Sequence, residues 1–62
     1  MKYSEVERKL KEAGCYFNKQ GKEHPEWYSP ITKQKFRMSN HKSEEVKTGT
    51  LKSISKASGV KL

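Results

Sequence analysis

Apolar residues recur at helical spacing near both ends of the chain. Each run places its apolar side chains on one face of an amphipathic helix. The first run predicts a helix over residues 4–13 that ends before Gly14, and the second run predicts a helix that ends at Gly59. Glycine is common at helix ends because it adopts the left-handed conformation there most easily. The residues of the two runs are Val6, Leu10 and Ala13, and then Leu51, Ile54 and Ala57.

Polar residues suited to capping stand before both helical patterns. Ser4 and Glu7 have the spacing of a capping box, in which the serine hydroxyl accepts from the backbone N–H of Glu7 and the glutamate reaches back. Thr48 or Thr50 can cap the second helix. These signals predict two short helices, one near each end of the chain.

Three short segments between the helices favour β-structure. Strands are predicted at residues 15–20, 26–29 and 35–39. Pro25 cannot donate to a β-ladder, so we expect residues 21–25 to form a loop. A second turn then separates the last two strands.

The third predicted strand has two different faces. Phe36 and Met38 alternate with Lys35, Arg37 and Ser39, and successive side chains of a strand point to opposite sides. One face is therefore apolar and the other basic. We expect the basic face to meet solvent or a ligand.

The element order α-β-β-β-α indicates a single α+β domain over residues 1–62. Three antiparallel strands with both helices packed on one face leave the other face of the sheet open. This is the architecture of a double-stranded-RNA-binding domain.

Two aromatic residues in the second strand, Trp27 and Tyr28, must point to opposite faces. We expect one ring to pack beneath the helices and the other to lie on the open face, where a nucleic-acid base could stack on it. We predict Tyr28 and Phe17 as core residues, which leaves Trp27 as the ring for the base.

Size and charge narrow the function further. A chain of 62 residues with 31% hydrophobic residues suits a shallow site better than a deep enclosed pocket. The net charge is +7, and residues 33–62 carry eight Lys/Arg against two Glu, while residues 1–32 carry six against five. Such asymmetry favours an anionic partner, such as nucleic acid, an acidic protein surface or lipid headgroups.

Cys15 is the only cysteine, so no intramolecular disulfide can form. This excludes a disulfide-stapled secreted domain and fits a reducing compartment. The sequence also shows no basic-then-apolar leader and no apolar run long enough to cross a membrane. We expect a cytoplasmic protein without a membrane partner.

His24 is the best candidate for chemistry, because imidazole can give or take a proton near neutral pH. It lies in the short loop before the aromatic pair. The alternative interpretation is an exposed turn histidine with no role. No ligand spacing typical of zinc accompanies it, and we predict neither a metal nor a cofactor.

Four segments together resemble the HicA toxin family, and the resemblance extends from about residue 2 to Gly59. The stretch that opens the last helix and the stretch that begins at His24 are the most specific. The segments are Lys2-Tyr3-Ser4-Glu5-Val6, Gly14-Cys15-Tyr16-Phe17, His24 through Pro30, and Thr48-Gly49-Thr50-Leu51-Lys52-Ser53-Ile54.

The resemblance implies a small bacterial mRNA interferase with the double-stranded-RNA-binding-domain fold. It also implies a partner, a HicB-like antitoxin that masks the nuclease site. The family's catalytic histidine falls on His24, and a second histidine that is common at the end of the third strand falls on His41. For His41 we leave two roles open, which are a local hydrogen bond or contact with phosphate.

Together the residues and the resemblance predict a metal-independent endoribonuclease toxin. His24 would act either as the base that removes the proton of the RNA 2′-hydroxyl or as the acid that protonates the leaving 5′-oxygen. Basic residues would stabilise the negative charge on the phosphate. The alternative is a non-catalytic RNA-binding module, and in either case we expect a monomer when the protein is free. The predicted RNA-binding residues are Lys19, Lys22, Trp27, Lys35, Arg37, His41 and Lys42.

Overall fold

A computed structural model describes residues 1–62 and confirms the α+β class and the predicted element order. No helix is long and apolar enough to span a lipid bilayer. The elements are α1 (Tyr3–Glu12), β1 (Tyr16–Gln20), β2 (Pro25–Ser29), β3 (Gln34–Arg37) and α2 (Thr48–Ser58).

The three strands form one antiparallel sheet with β2 in the centre. Trp27 of β2 stands between Phe17 of β1 and Phe36 of β3, and this row of cross-strand partners lies on the face toward the core. The next row, Tyr16, Tyr28 and Lys35, lies on the opposite face. The pairing of β1 with β2 is irregular between Phe17 and Lys19, as expected for a β-bulge.

The core lies between the inner face of the sheet and the two helices. In β3 and at the residue after it the predicted alternation is confirmed, since Phe36 and Met38 are buried while Lys35 and Arg37 are exposed. The buried apolar side chains are Val6, Leu10, Cys15, Trp27, Phe36, Met38, Val46 and Ile54.

Trp27 and Tyr28 point to opposite faces of the sheet as predicted, but the expected assignment of core and exposed rings is wrong. Trp27 is only 3% exposed and belongs to the core, whereas Phe17 is 50% exposed and Tyr28 lies half-buried on the open face. Phe17 shares the inner face with Trp27, but β1 is an edge strand, and its side chain is not covered there. A base therefore cannot stack on Trp27.

The first helix begins one residue earlier than predicted and uses a different capping residue. Its N-cap is Lys2, whose backbone N–H donates to the carboxylate of Glu5. The predicted pairing of Ser4 with Glu7 is wrong, because the Ser4 N–H donates to the backbone of Lys42 and Glu7 forms ion pairs. The second helix likewise has no side-chain cap at its N-cap residue, Lys47.

The second helix ends as predicted. Gly59 adopts φ = +74° at its C-cap, and its N–H donates to the backbone of Ser55. The last carbonyl groups of α2 accept from side-chain hydroxyls beside the turn after β2. Ser29 donates to the carbonyl of Ser58, and Thr32 donates to that of Ala57.

The segment between β3 and α2 is held by the start of α1. The Tyr3 N–H donates to the carbonyl of Glu44, at 3.1 Å, and the Ser4 N–H donates to that of Lys42, at 3.0 Å. Lys2 and Glu45 also form an isolated antiparallel bridge. These bonds order a segment that the sequence predicted only as a polar loop, and that segment carries His41.

Candidate functional site

His24 ends the four-residue loop that joins β1 to β2. The backbone N–H of Gly21 donates to the carbonyl of His24, at 3.1 Å, so the loop closes on itself. Pro25 follows at once as the first residue of β2, where it is buried opposite Gln20. The loop therefore fixes His24 at one end of the sheet, directly beside the first paired residues of the hairpin.

Glycine is required at position 21 because the backbone of His24 packs closely against it in this loop. A Cβ at this position would lie 2.5 Å from the carbonyl oxygen of His24, and the obstacle is backbone rather than a flexible side chain. Any larger residue would therefore have to move the His24 backbone.

A shallow depression of about 270 Å³ opens beside His24, and no hydrophobic residue lines it. Such a lining suits a polar or charged ligand. The His24 side chain is exposed, and neither ring nitrogen has a hydrogen-bond partner within the chain. The lining residues are Gly21, Lys22, Glu23, His24, Glu26 and Arg37.

The fold brings His41 to the same place. A second depression, of about 400 Å³, is lined by His24, Arg37 and His41 together, although the sequence separates the two histidines by most of the sheet. The backbone N–H of His41 donates to the Ser39 hydroxyl, at 3.1 Å, which holds His41 in the segment that follows β3. The other lining residues are Tyr3, Met38, Ser39, Glu44 and Thr50.

Thr50 places the first turn of α2 at the edge of this depression. The N-terminus of a helix carries unpaired N–H groups and a partial positive charge, which both favour anions. Thr50 was predicted only as a possible cap. Its place beside the histidines depends on how α2 packs against β3, for which the local sequence carries no signal.

Four of the predicted RNA-binding cations are available to a ligand. Each is exposed, and none has a carboxylate within 4.0 Å. Arg37 is the one of these cations that lines both depressions. Its cross-strand partner is Glu26, but the two side chains do not form an ion pair. The carboxylate of Glu26 instead accepts from the Asn18 amide, at 2.9 Å. The four are Lys19, Lys22, Lys35 and Arg37.

Lys42 and Trp27 lie elsewhere. Lys42 contacts Glu7 of α1, at 3.7 Å, and Glu7 also pairs with Lys11, at 3.1 Å. The ammonium of Lys11 lies 5.9 Å from the centre of the Trp27 ring. These residues border a separate groove between α1 and the sheet, and neither histidine lines that groove.

The side chains that could ligate a metal are dispersed. No group of three or more His, Cys, Asp or Glu residues is placed to hold a metal ion. Cys15 is a free thiol buried in the core.

The comparisons with known proteins give one match. A family model described as the HicA toxin of bacterial toxin–antitoxin systems matches residues 3–60. Neither the comparison with curated proteins nor that with solved structures gives a match. The likeness to a double-stranded-RNA-binding domain therefore stays a prediction.

Proposed function

The chain belongs to the HicA toxin family of bacterial toxin–antitoxin systems, and on that basis we propose that it is a metal-independent endoribonuclease that binds and cleaves mRNA. His24 acts as general acid or base in this proposal. The observation that carries it is the convergence of His24, Arg37 and His41 on one depression at the end of the sheet.

The reaction uses the nucleophile that RNA itself supplies. A base removes the proton of the 2′-hydroxyl, whose oxygen attacks the adjacent phosphorus. The bond from phosphorus to the 5′-oxygen then breaks, and an acid protonates the leaving oxygen. The products are a 2′,3′-cyclic phosphate and a free 5′-hydroxyl, and neither oxidant nor water is consumed in this step.

The side chains at the depression match these tasks. Imidazole serves either proton transfer near neutral pH, and such help contributes about 10²–10⁴-fold to rate. In this proposal His24 carries one transfer, and His41, which lines the same depression, carries the other or binds phosphate. Arg37 has no carboxylate partner, so its charge is free to stabilise the phosphorane as negative charge develops.

An antitoxin partner follows from the family, and we propose a HicB-like protein that covers the His24 depression. Acidic or hydrogen-bonding groups on that partner would complement Lys22 and Arg37, which line it. We place this activity in the cytoplasm, where mRNA is translated, and expect the free protein to be a monomer.

Growth arrest tests the proposal in cells. Expression of the chain without an antitoxin should arrest bacterial growth, and His24→Ala should restore it at equal protein level. Lys9→Ala is the control, because it removes a charge from the exposed side of α1 and should leave toxicity unchanged. Toxicity of His24→Ala equal to that of the parent would show that His24 is not catalytic.

One observation favours the second candidate function, a non-catalytic RNA-binding module. Catalytic bases are commonly oriented by a third group, and the His24 ring has no such hydrogen bond. In that case the parent would bind RNA without cutting it. His24→Ala would then leave affinity unchanged, whereas Arg37→Ala would lower it.

A further inference from the structure

An aromatic pair lies on the face of the sheet that neither helix covers. Tyr16 and Tyr28 are cross-strand partners, with ring centres 5.6 Å apart and planes inclined at 46°. Tyr16 is 50% exposed, and neither ring belongs to the core. The Tyr28 ring braces that of Tyr16, which leaves Tyr16 an accessible aromatic surface.

Cations flank this pair along β3. Lys35 is the cross-strand partner of Tyr28, and Arg37 follows two residues later on the same face. Both are exposed, and no carboxylate lies within 4.0 Å of either. An aromatic surface beside unpaired cations matches a nucleotide, whose base stacks while its phosphate meets the positive charge.

Arg37 connects the pair to the candidate active site, although the hydrogen-bonded side chains of Asn18 and Glu26 lie between the rings and the His24 loop. Arg37 belongs to the row of cations and also lines both depressions at His24. Lys35 and Arg37 are about 7 Å apart along the strand, since each residue of an antiparallel strand rises about 3.4 Å. This separation is close to that of neighbouring phosphates in an extended strand of RNA.

We infer that Tyr16 and Tyr28 form a base-stacking subsite for an unpaired nucleotide of the RNA, about two nucleotides from the phosphodiester held at His24, because Tyr28 and His24 are about 14 Å apart along β2. The inference takes its ligand from the proposed function. The substrate class is single-stranded RNA, because bases inside a duplex stack on each other and offer no face to a side chain. An exposed ring beside unpaired cations favours RNA on this surface, because a base can stack on the ring while its phosphate meets the positive charge.

Binding of a short RNA in the His24→Ala background tests the subsite without cleavage. The probe is an unstructured, 5′-labelled RNA of about ten nucleotides, measured by fluorescence anisotropy at fixed salt. We expect Tyr16→Ala to weaken binding by about 5- to 100-fold, and Tyr16→Phe to retain the parental affinity. Phe17→Ala is the matched control, since Phe17 is equally exposed at 50% but lies on the other face.

Duplex RNA provides the second comparison. Tyr16→Ala should not change the affinity for a blunt duplex of the same sequence, and thermal unfolding of each variant should match that of the background protein. Equal binding of single strands by Tyr16→Ala and Phe17→Ala would overturn the inference. So would a loss of antitoxin binding with no loss of RNA binding, because the face would then be a protein interface.

These measurements can disprove the stacking subsite and the ribonuclease activity independently of each other. If the parent cleaves RNA but Tyr16→Ala binds it normally, the stacking subsite is wrong and the proposed function stands. If the parent leaves RNA intact while Tyr16→Ala still weakens binding, the subsite stands and the catalytic proposal is wrong.

Discussion

Gly21 is the residue on which the position of His24 depends most. It has no reactive side chain, but its backbone N–H donates to the His24 carbonyl. A Cβ at this position would lie 2.5 Å from that carbonyl oxygen, so only glycine leaves room for it. A close approach of this kind cannot be recognised from the sequence alone, where Gly21 marks only the end of a strand. The position of the histidine thus rests on a backbone contact.

We predict that Gly21→Ala keeps the fold but lowers RNA cleavage. A displacement of about 1 Å at a catalytic group can lower the rate by about 10²-fold. The measurement is the single-turnover cleavage rate, with thermal unfolding of the same sample. Gly49→Ala is the control, because nothing lies within 4 Å of a Cβ there and activity should be retained. An unchanged rate in Gly21→Ala would contradict the role of the loop.

At the scale of elements, the C-terminus of α2 depends on hydroxyl groups from outside the helix. Ser29 and Ser58 are fully buried, and the Ser29 hydroxyl donates to the Ser58 carbonyl. The last carbonyls of a helix have no partner within it, so Ser29 and Thr32 satisfy two of them. This end of the helix is therefore attached to the β2–β3 hairpin.

We predict that Ser29→Ala lowers the free energy of unfolding by about 1–3 kcal/mol, because it leaves a buried carbonyl without a donor. Urea denaturation measures the change. Ser53→Ala, an exposed serine on the same helix, should stay within about 0.5 kcal/mol of the parent. A Ser29→Ala value as small as that of Ser53→Ala would show that the hydrogen bond adds no net stability.

The elements themselves could largely be predicted from the sequence, because helical spacing and strand alternation are local. The order of elements, the burial of Phe36 and Met38, and the helix end at Gly59 are all confirmed. The faces of Phe17 and Trp27 could not be predicted, since they depend on cross-strand register and on which strand is an edge.

Over the whole molecule, the site depends on tertiary packing. His24, Arg37 and His41 come from a hairpin loop, a strand and the segment before α2. The sheet brings His24 to Arg37, and backbone hydrogen bonds from α1 hold the segment that carries His41. Each of the three residues could be predicted from the sequence, but no local signal shows that they converge. Lys42 was predicted in the same group, whereas in the structure Lys42 pairs with Glu7 of α1.

The charge of +7 predicts that RNA binding weakens steeply as salt rises, because cations of the protein release counterions from phosphate. Lys35→Ala should reduce the slope of log affinity against log salt by about 0.7, the value for one contact with a single strand. Lys9→Ala removes the same charge from α1 and should leave the slope unchanged. Equal slopes for both variants would mean that Lys35 does not contact the backbone.

Incubation of the purified protein with a long mRNA in EDTA, alongside His24→Ala, tests the central claim most directly. We predict that the parent cuts the RNA and leaves 2′,3′-cyclic phosphate and 5′-hydroxyl ends, while His24→Ala, folded to the same extent, leaves it intact. Intact RNA with the parent, or equal cutting by both proteins, would contradict a ribonuclease centred on His24.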